Sequence, residues 1–525
     1  MAAADETYDV VVVGSGGGGL VGAYLAASRG LRTLVVEKTG LVGGTTAYSG
    51  AGLWFPGSAP IERAGVESGV ADARTYLRHI IGDRSRESLQ DAYLDAGVRL
   101  IDELEKCPRF GEFVYGPVPD YYAGAPGATA AGRTVFPQPL PVADLGTQIS
   151  LLRRNIYQER WGIDEGPVLS GGRALIGRAL SAFRQTRTGS VRVNTALERL
   201  IVADGRVVGL GVVSDGERTT IHARRGVILA AGGFERDAQL RAKHQPPLTG
   251  EWSNGAPGNT GDALRAGIAI GAATELLDEA WFVPGLVQPD GTTLFFCGTR
   301  GGFWVDGAGE RFVNETAPYD QVGHEIMRRR AIPTHWVLDQ RQLDRDSFGG
   351  PPDEPVDPRW FASGALKKAD TLAELARLID VPYDALSRTV QTYNGYAESG
   401  VDKEFHRGET PWDLMQQHIV GFPALPAQAY PSKPSEGWPN PLLPPLDTPP
   451  YYVATIVPAD IGTKGGLKID EHARVLREDG TPIAGLYAAG NTAAPMSGRV
   501  YPGAGTPIGS SLAFGYLAVL DIAGT

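Results

Sequence analysis

The sequence predicts an α/β protein built on a Rossmann-like dinucleotide-binding unit, and three observations near its start predict it. The stretch YDVVVV gives a run from Asp9 to Val13 that suits a strand buried on both faces. Gly14, Gly16 and Gly19 then space a GxGxxG turn where strand passes into helix. The helical stretch runs to Ser28, Gly30 follows it, and Thr33 to Val36 forms a second strand that stops at Glu37.

Each part has a mechanical reason. The first glycine makes the tight turn, the second admits a pyrophosphate to the backbone, and the third lets helix and strand pack closely. The helix N-terminus offers N–H groups to the anion. Glu37 stands where a carboxylate accepts hydrogen bonds from a ribose diol. Its charge would repel a 2′-phosphate, which disfavours NADP. Strand, glycines, helix, second strand and acid are all in register.

Composition bounds the remainder. The chain has 525 residues, room for two or three domains, with 42% hydrophobic and 21% charged residues. A formal charge of −11 argues against a nucleic-acid partner. Cys107 and Cys297 have neither metal-ligand nor CxxC spacing and predict buried thiols in a reducing compartment. The 8 histidines, His244 and His324 among them, form no metal or triad spacing, so no metal is expected. MAAADETYDV lacks the regions of a signal peptide, and no apolar run of about 18 residues is evident. The expectation is a cytoplasmic protein, and a peripheral contact with a membrane surface is compatible with it. Prolines cluster from Pro108 to Pro141 and from Pro431 to Pro450, the second stretch reading as an ordered extended connector.

Three further segments bear on the cofactor: VGGTTAYSGAG from Val42, RRGVILAAGGFE from Arg224, and GLYAAGN from Gly485. Together they resemble the FAD-binding flavoproteins of the glutathione-reductase and fumarate-reductase type. The resemblance implies that the first βαβ unit holds the ADP half and the late YAAG strand meets the ribityl chain. It covers both ends of the chain, so the FAD-binding domain is expected to be discontinuous, 1–277 and 447–525. An α+β substrate and catalytic domain would be inserted over 278–446. Tyr48 and Ser49 stand where members with covalent flavin carry a histidine, so FAD is expected to be non-covalent.

The implied cofactor contacts begin with Gly14, Ser15, Gly16 and Gly19, followed by Glu37 and Lys38. The next loop adds Gly44, Thr45, Thr46, Ser49, Gly50 and Gly52. Leu197, Ala231, Gly232, Asn259 and Asp262 come from the middle of the chain. Gly490, Asn491, Ile508 and Gly509 come from its end. Asn491 departs from the acid that many flavoproteins use at that place.

Seven segments, in order, resemble one family closely, the 3-ketosteroid Δ1-dehydrogenases. They are GGTTAYSGAGLWFPG, PDYY, SGGRALIGR, GERFVNETAPYD, GTKGGL, YAAGN and YPGAGTPIGSS. Members oxidise a CH–CH group, removing a hydride from carbon 1 and a proton from carbon 2 of a 3-ketosteroid. By resemblance, Tyr501 and the N–H of Gly505 polarise the ketone, Tyr319 takes the proton, and Tyr121 assists it. Tyr122 is the register alternative to Tyr121. Phe295 or Phe296 matches a substrate-contacting aromatic, with Trp54, Phe55, Trp281 and Phe282 as further pocket candidates by position. The helix after YPGAG would point its positive end at the flavin and favour its reduced anion. The implied partners are a 3-ketosteroid and an electron acceptor, a quinone or an artificial dye, with oligomeric state left open.

Two other flavoenzyme readings stand beside this one. A fumarate-reductase-like enzyme acting on a small dicarboxylate would need cationic clamps and a histidine before the GG of DIGTKGGL, and only Arg499 lies beside Tyr501. A Δ4-ketosteroid dehydrogenase is the other, and the pairing of YPGAG with ETAPY favours Δ1. A silent FAD-binding module is opposed by the three placed tyrosines.

Overall fold

The computed structural model describes residues 6–164, 166–297, 301–346, 355–416 and 437–524. The opening MAAAD and the first part of the connector from Pro431 lie outside the described residues. The chain forms two compact units: 1–250 with 255–280 and 462–525, and 251–254 with 281–461. The boundaries of 277 and 447 expected from sequence compare with these limits of 280 and 461. The strand Tyr451–Thr463 explains the later return, because residues 451–456 pair with the strands Thr334–Asp339 and Leu366–Ala369 of the second unit.

The first unit is organised by an eight-stranded sheet. Its centre is parallel: Gly189–Arg192, Thr33–Val36, Glu6–Val13, Glu217–Leu229 and Pro482–Ala488 lie side by side in that order. Val10, Val11 and Val12 have no exposed surface, as a strand covered on both faces requires. An antiparallel meander, Thr195–Ala203, Arg206–Ser214 and Glu217–Leu229, extends one side. Val227, Ile228 and Leu229 pair in register with Leu486, Tyr487 and Ala488, which inserts the C-terminal strand next to the first βαβ unit. This is the Rossmann-like parallel sheet that the opening motif predicts.

Two helices meet over this sheet, Gly17–Ser28 and Thr506–Ala523. A Cβ on Gly18 would lie 2.2 Å from the Ser511 carbonyl oxygen, and one on Gly22 would lie 3.4 Å from that of Gly515. The third glycine of the motif behaves as its spacing implies: a Cβ on Gly19 would lie 2.2 Å from the Gly14 oxygen. Thr506–Ala523 is also long and apolar enough to cross a membrane, a property the sequence reading did not register. In the fold it is a core helix, with 67% of it buried.

The second unit centres on a six-stranded sheet. Thr293–Phe295, Ala280–Val287, Tyr451–Thr463, Thr334–Asp339 and Phe303–Val305 follow one another across it, with Leu366–Ala369 also on Tyr451–Thr463. Trp304, Leu338, Ala454 and Ile456 are fully buried in its core. The helix Tyr319–Arg329 packs Val322 and Ile326 into the same core.

Gly18 tests the crossing of the two helices. Gly18→Ala should cost about 1–3 kcal/mol through overpacking against backbone. Denaturant unfolding reads that cost, and flavin absorbance of the purified protein should show reduced FAD content.

Candidate active site

The dinucleotide turn is built from both ends of the first unit. Gly14 has φ +97°, and a Cβ there would lie 2.3 Å from the Ala230 oxygen, so only glycine fits. Gly16 is different: its Cβ would meet only Thr46 Oγ1, at 3.8 Å, leaving the space above the turn for a ligand. The Gly17 N–H donates to Thr46 Oγ1 at 3.0 Å and the Gly18 N–H to Ser511 Oγ at 3.2 Å. Glu37 is nearly buried. One carboxylate oxygen accepts from Ser15 N and Oγ, the other from Thr39 N and Oγ1.

The other expected cofactor residues gather in this unit. Gly44–Tyr48 forms a short 3-10 turn that includes Thr45 and Thr46, and Ser49 Oγ closes it on the Thr46 carbonyl at 2.7 Å. Gly50 approaches Gly171, and a Cβ on Gly171 would lie 3.2 Å from the Gly50 Cα. Thr45 Oγ1 accepts from Ala256 N at 2.9 Å and from Asn259 Nδ2 at 3.0 Å. Asn259 Nδ2 also donates to the fully buried Glu235 at 2.6 Å. Gly232, after Ala231, has φ +77°, and its Cβ would strike the Asn259 amide. Gly490, with φ +62°, closes on the Ser511 hydroxyl in the same way. Asn491 is next to Gly490 and lies against Gly462. Leu197 is buried in the meander. Lys38 and Asp262 pair with each other at 2.8 Å as a partly exposed ion pair. Ile508 and Gly509 lie in the first turn of the last helix, where Gly509 packs on Tyr93 and Phe55.

These residues fit FAD. The open cradle above Gly16, the helix N-terminus behind it and the carboxylate at Glu37 match a pyrophosphate and a ribose diol. Gly18, Ser511 and Glu235 were not singled out from sequence. Gly18 sits inside a run of glycines, and nothing local marks it as the one in contact with residue 511.

The tyrosine loop leads directly into the helix Thr506–Ala523 and is held rigidly. Gly505 has φ +95°, and a Cβ on it would lie 2.2 Å from the Gly52 carbonyl carbon, so two glycines stand back to back. The loop's carbonyls turn into the protein. Arg499 O accepts from Lys464 Nζ at 2.9 Å, and Pro502 O from Tyr76 Oη at 2.6 Å and Tyr121 N at 3.0 Å. Gly503 O accepts from Thr506 Oγ1 and Ala504 O from Thr134 Oγ1, both at 2.8 Å. No described residue accepts from the Gly505 N–H.

Tyr501 is 3% exposed, and its ring lies 5.1 Å from that of Tyr121. Tyr122 instead donates its N–H to Tyr76 Oη and packs on the hydrophobic core.

Beneath them lies a buried ion pair. Asp120 accepts from Trp54 Nε1 at 2.9 Å, from Thr129 N at 3.1 Å and from the Arg133 guanidinium. Arg133 also donates to Ser68 Oγ at 2.9 Å and to the Gly127 oxygen at 2.6 Å. Burial pushes Asp120 up to about 6 even against the attraction of Arg133. Trp54, a pocket candidate from sequence, has no exposed surface and stacks on Tyr93 with the rings 6.4 Å apart. Its ring backs Gly503, where a Cβ would lie 2.6 Å away, so Trp54 supports the loop from behind. Phe55 is likewise buried.

The second unit carries Tyr319 at the start of the helix Tyr319–Arg329, 3% exposed. Phe295 meets it edge-on at 4.7 Å, whereas Phe296 turns to Trp336 at 4.9 Å and Trp304 at 6.2 Å. Phe295 ends the strand Thr293–Phe295 and Phe296 follows it, one against Tyr319 and the other against the core.

Comparisons with known proteins show the family. The FAD binding domain family matches residues 9–508. The 3-oxosteroid 1-dehydrogenase of Mycobacterium tuberculosis (strain ATCC 25618 / H37Rv) is 40% identical, over 99% of this chain and 98% of its own. The chain belongs to the 3-ketosteroid Δ1-dehydrogenase family. It is an FAD-dependent oxidoreductase. The 4-oxocyclohexanecarboxylate 2-dehydrogenase of Sinomonas cyclohexanicum is 35% identical, over 99% of this chain and 93% of its own. Among solved structures, 3-ketosteroid Δ1-dehydrogenase from Sterolibacterium denitrificans, in complex with 1,4-androstadiene-3,17-dione, superposes with a TM-score of 0.88. It is 31% identical, and the match covers 99% of this chain and 100% of that one.

Asp120 gives a pH signature. Its acid is raised above the ordinary value of 3.8, so the folded chain binds this proton more tightly than the unfolded chain. Its contribution to stability is greatest below pH 3.8 and is lost as pH rises through about 6. Unfolding free energies measured across this window should lose that component in Asp120→Asn. Asp120→Ala, which leaves the Arg133 charge buried and unpaired, should cost about 3–5 kcal/mol.

Proposed function

We propose that the protein introduces the carbon 1–carbon 2 double bond into the A ring of 3-ketosteroids. The observation that carries this reading is the Tyr501–Gly505 loop. Its carbonyls are turned away, and the Gly505 N–H and the Tyr501 hydroxyl belong to one rigid turn.

The chemistry follows from the ketone. The carbon 2 proton becomes acidic only if the developing enolate oxygen is stabilised. The Tyr501 hydroxyl and the Gly505 N–H are its donors, and they act most strongly where water is excluded. Tyr319 is the base proposed for the carbon 2 proton, with Tyr121 the assisting tyrosine that the family resemblance implies. A tyrosine has an ordinary pKa of about 10, so it needs a second group that carries the proton on to solvent. FAD, when bound, supplies the acceptor for the hydride that leaves carbon 1. The Gly14–Gly19 turn with Glu37 would hold its pyrophosphate and ribose, and Thr45, Asn259, Gly490 and Asn491 would line its further course. Electrons then pass to a quinone or, in an assay, to an artificial dye.

Phe295, edge-on to Tyr319, is the aromatic proposed to face a flat apolar substrate. The Sinomonas relative, whose name describes a cyclic ketone acid, carries a second reading, a cyclohexanone carboxylate. Arg499, the cation a carboxylate would seek, is engaged by Glu279 and Asp278. That weighs for the steroid, as it does against a dicarboxylate.

The deciding experiment supplies 4-androstene-3,17-dione, 4-oxocyclohexanecarboxylate or succinate with an artificial acceptor. The steroid should give kcat/KM at least about 100-fold above either acid, a margin of roughly 3 kcal/mol in transition-state binding. Equal or better turnover of the keto acid would sink the steroid reading. Tyr501→Phe should lower kcat by about 10²–10³ and Tyr319→Phe by about 10²–10⁴. With chemistry rate-limiting, kcat should rise from neutral pH toward 10, and a flat profile would refute the tyrosine base.

A further inference from the structure

The segment Asn314–Tyr319 is gripped by a stretch of chain about ninety residues downstream, which the sequence did not mark as functional. Two buried carboxylate clusters make the grip. In the first, Arg311 donates to both oxygens of Glu315 at 2.8 Å and pairs with Asp402 at 2.7 Å. Arg407 donates to Glu315 at 3.1 Å and to the Gly302 carbonyl at 2.8 Å. The side chains of Glu315, Arg407 and Asp402 have no exposed surface. Burial alone would raise the Glu315 carboxyl, but the two guanidinium groups outweigh it and hold it below the usual range.

In the second cluster the fully buried Asp413 accepts from Thr316 Oγ1 at 2.9 Å and from Asn314 Nδ2 at 3.3 Å. It also accepts from the N–H groups of Gly408 and Thr410, both at 3.2 Å, which fixes its own loop. Thr316 returns to Asn314 Oδ1 at 2.7 Å, so the turn before Pro318 is locked. Next to Asp413 stands Trp412, 1% exposed, whose ring meets that of Tyr319 at 6.0 Å and 68°. Tyr319 therefore has an aromatic edge on each of two neighbours, Phe295 from the sheet and Trp412 from the gripping loop.

We propose that Trp412 is a positioning residue for Tyr319, held in place by the Asp402–Asp413 clamp, and that it sets the orientation in which the phenol takes the carbon 2 proton. This rests on Tyr319 being the base. Carboxylate pairs buried this completely are expensive unless every lone pair is met, and here they specify one arrangement of the turn that carries the base. An aromatic neighbour adds little to burial energy that another apolar residue would not supply. Its specific contribution is the ring angle.

The test is a mutant cycle on the FAD-loaded enzyme with a 3-ketosteroid, crossing Trp412→Ala with Tyr319→Phe. Trp412→Ala should lower kcat about 10- to 100-fold with KM changed less than about threefold, as a misaligned reacting group does. The kinetic isotope effect from deuterium at carbon 2 should rise, because proton removal becomes more fully rate-limiting. In the Tyr319→Phe background the same change should alter the residual rate less than about threefold, since the ring it orients no longer carries a proton acceptor. Trp412→Phe should recover most of the loss. Equal losses in both backgrounds, or a kcat within about twofold of the parent, overturn the positioning role. If Trp412→Ala fails to retain FAD, the same cycle is read with Trp412→Leu by the same criteria, and Trp412→Phe is still expected to recover most of the loss. Full turnover by Tyr319→Phe alone would overturn the base assignment itself. Loss in Tyr319→Phe with parental behaviour in Trp412→Ala overturns only the present inference.

Discussion

Everything in the first unit depends on how closely two helices from opposite ends of the chain approach each other. Gly17–Ser28 and Thr506–Ala523 come together until the Gly18 backbone touches the Ser511 carbonyl. A methyl group at that position has nowhere to go. The contact sets the last helix beside the dinucleotide turn, and the Tyr501–Gly505 loop enters that helix directly. The dinucleotide turn and the tyrosine loop are thereby fixed by one packing distance. Gly505 and Gly52 repeat the device where the loop meets the segment after the 3-10 turn.

The unit then spends its hydrogen bonds on direction. The loop's peptide groups must be satisfied, and here the carbonyls of Arg499, Pro502, Gly503 and Ala504 are met from within the protein by Lys464, Tyr76, Thr506 and Thr134. A peptide whose oxygen is held inward presents its N–H outward. That is how a main-chain donor can be aimed at a substrate oxygen without a dedicated side chain. The Asp120–Arg133 pair lies under the same loop and fixes Trp54 and the backbone that leads to Tyr121. Removing either side chain leaves buried polar partners unmet, which makes the arrangement all-or-none.

The second unit solves a related problem by different means. Tyr319 begins a helix, and helix ends fray unless their entry is pinned. Glu315 and Asp413 pin it from two sides with buried carboxylates, using donors from residues 311, 314, 316 and 407. Both units thus place tyrosines on turns whose freedom has been removed by buried polar networks. If Tyr319 is the base proposed above, its high ordinary pKa gives a reason to hold it so firmly, because correct geometry must make up for poor intrinsic reactivity.

The sequence by itself determined the parallel βαβ unit, because a continuous apolar run and the glycine spacing after it are local, and its resemblance to known flavoproteins implied that both ends of the chain share one domain. It also named the tyrosine-bearing segments, since short motifs survive in one dimension. The register within them was a different matter. Tyr121 and Tyr122 are equally aromatic neighbours in sequence, as are Phe295 and Phe296, and only packing turns one of each pair toward Tyr501 or Tyr319. Trp54 read as a pocket wall and became a support, because its indole N–H found Asp120. Gly18, Ser511, Asp413 and Trp412 carried no local signal at all. Their partners lie between about ninety and five hundred residues away, and a contact over that distance exists only once the chain has folded.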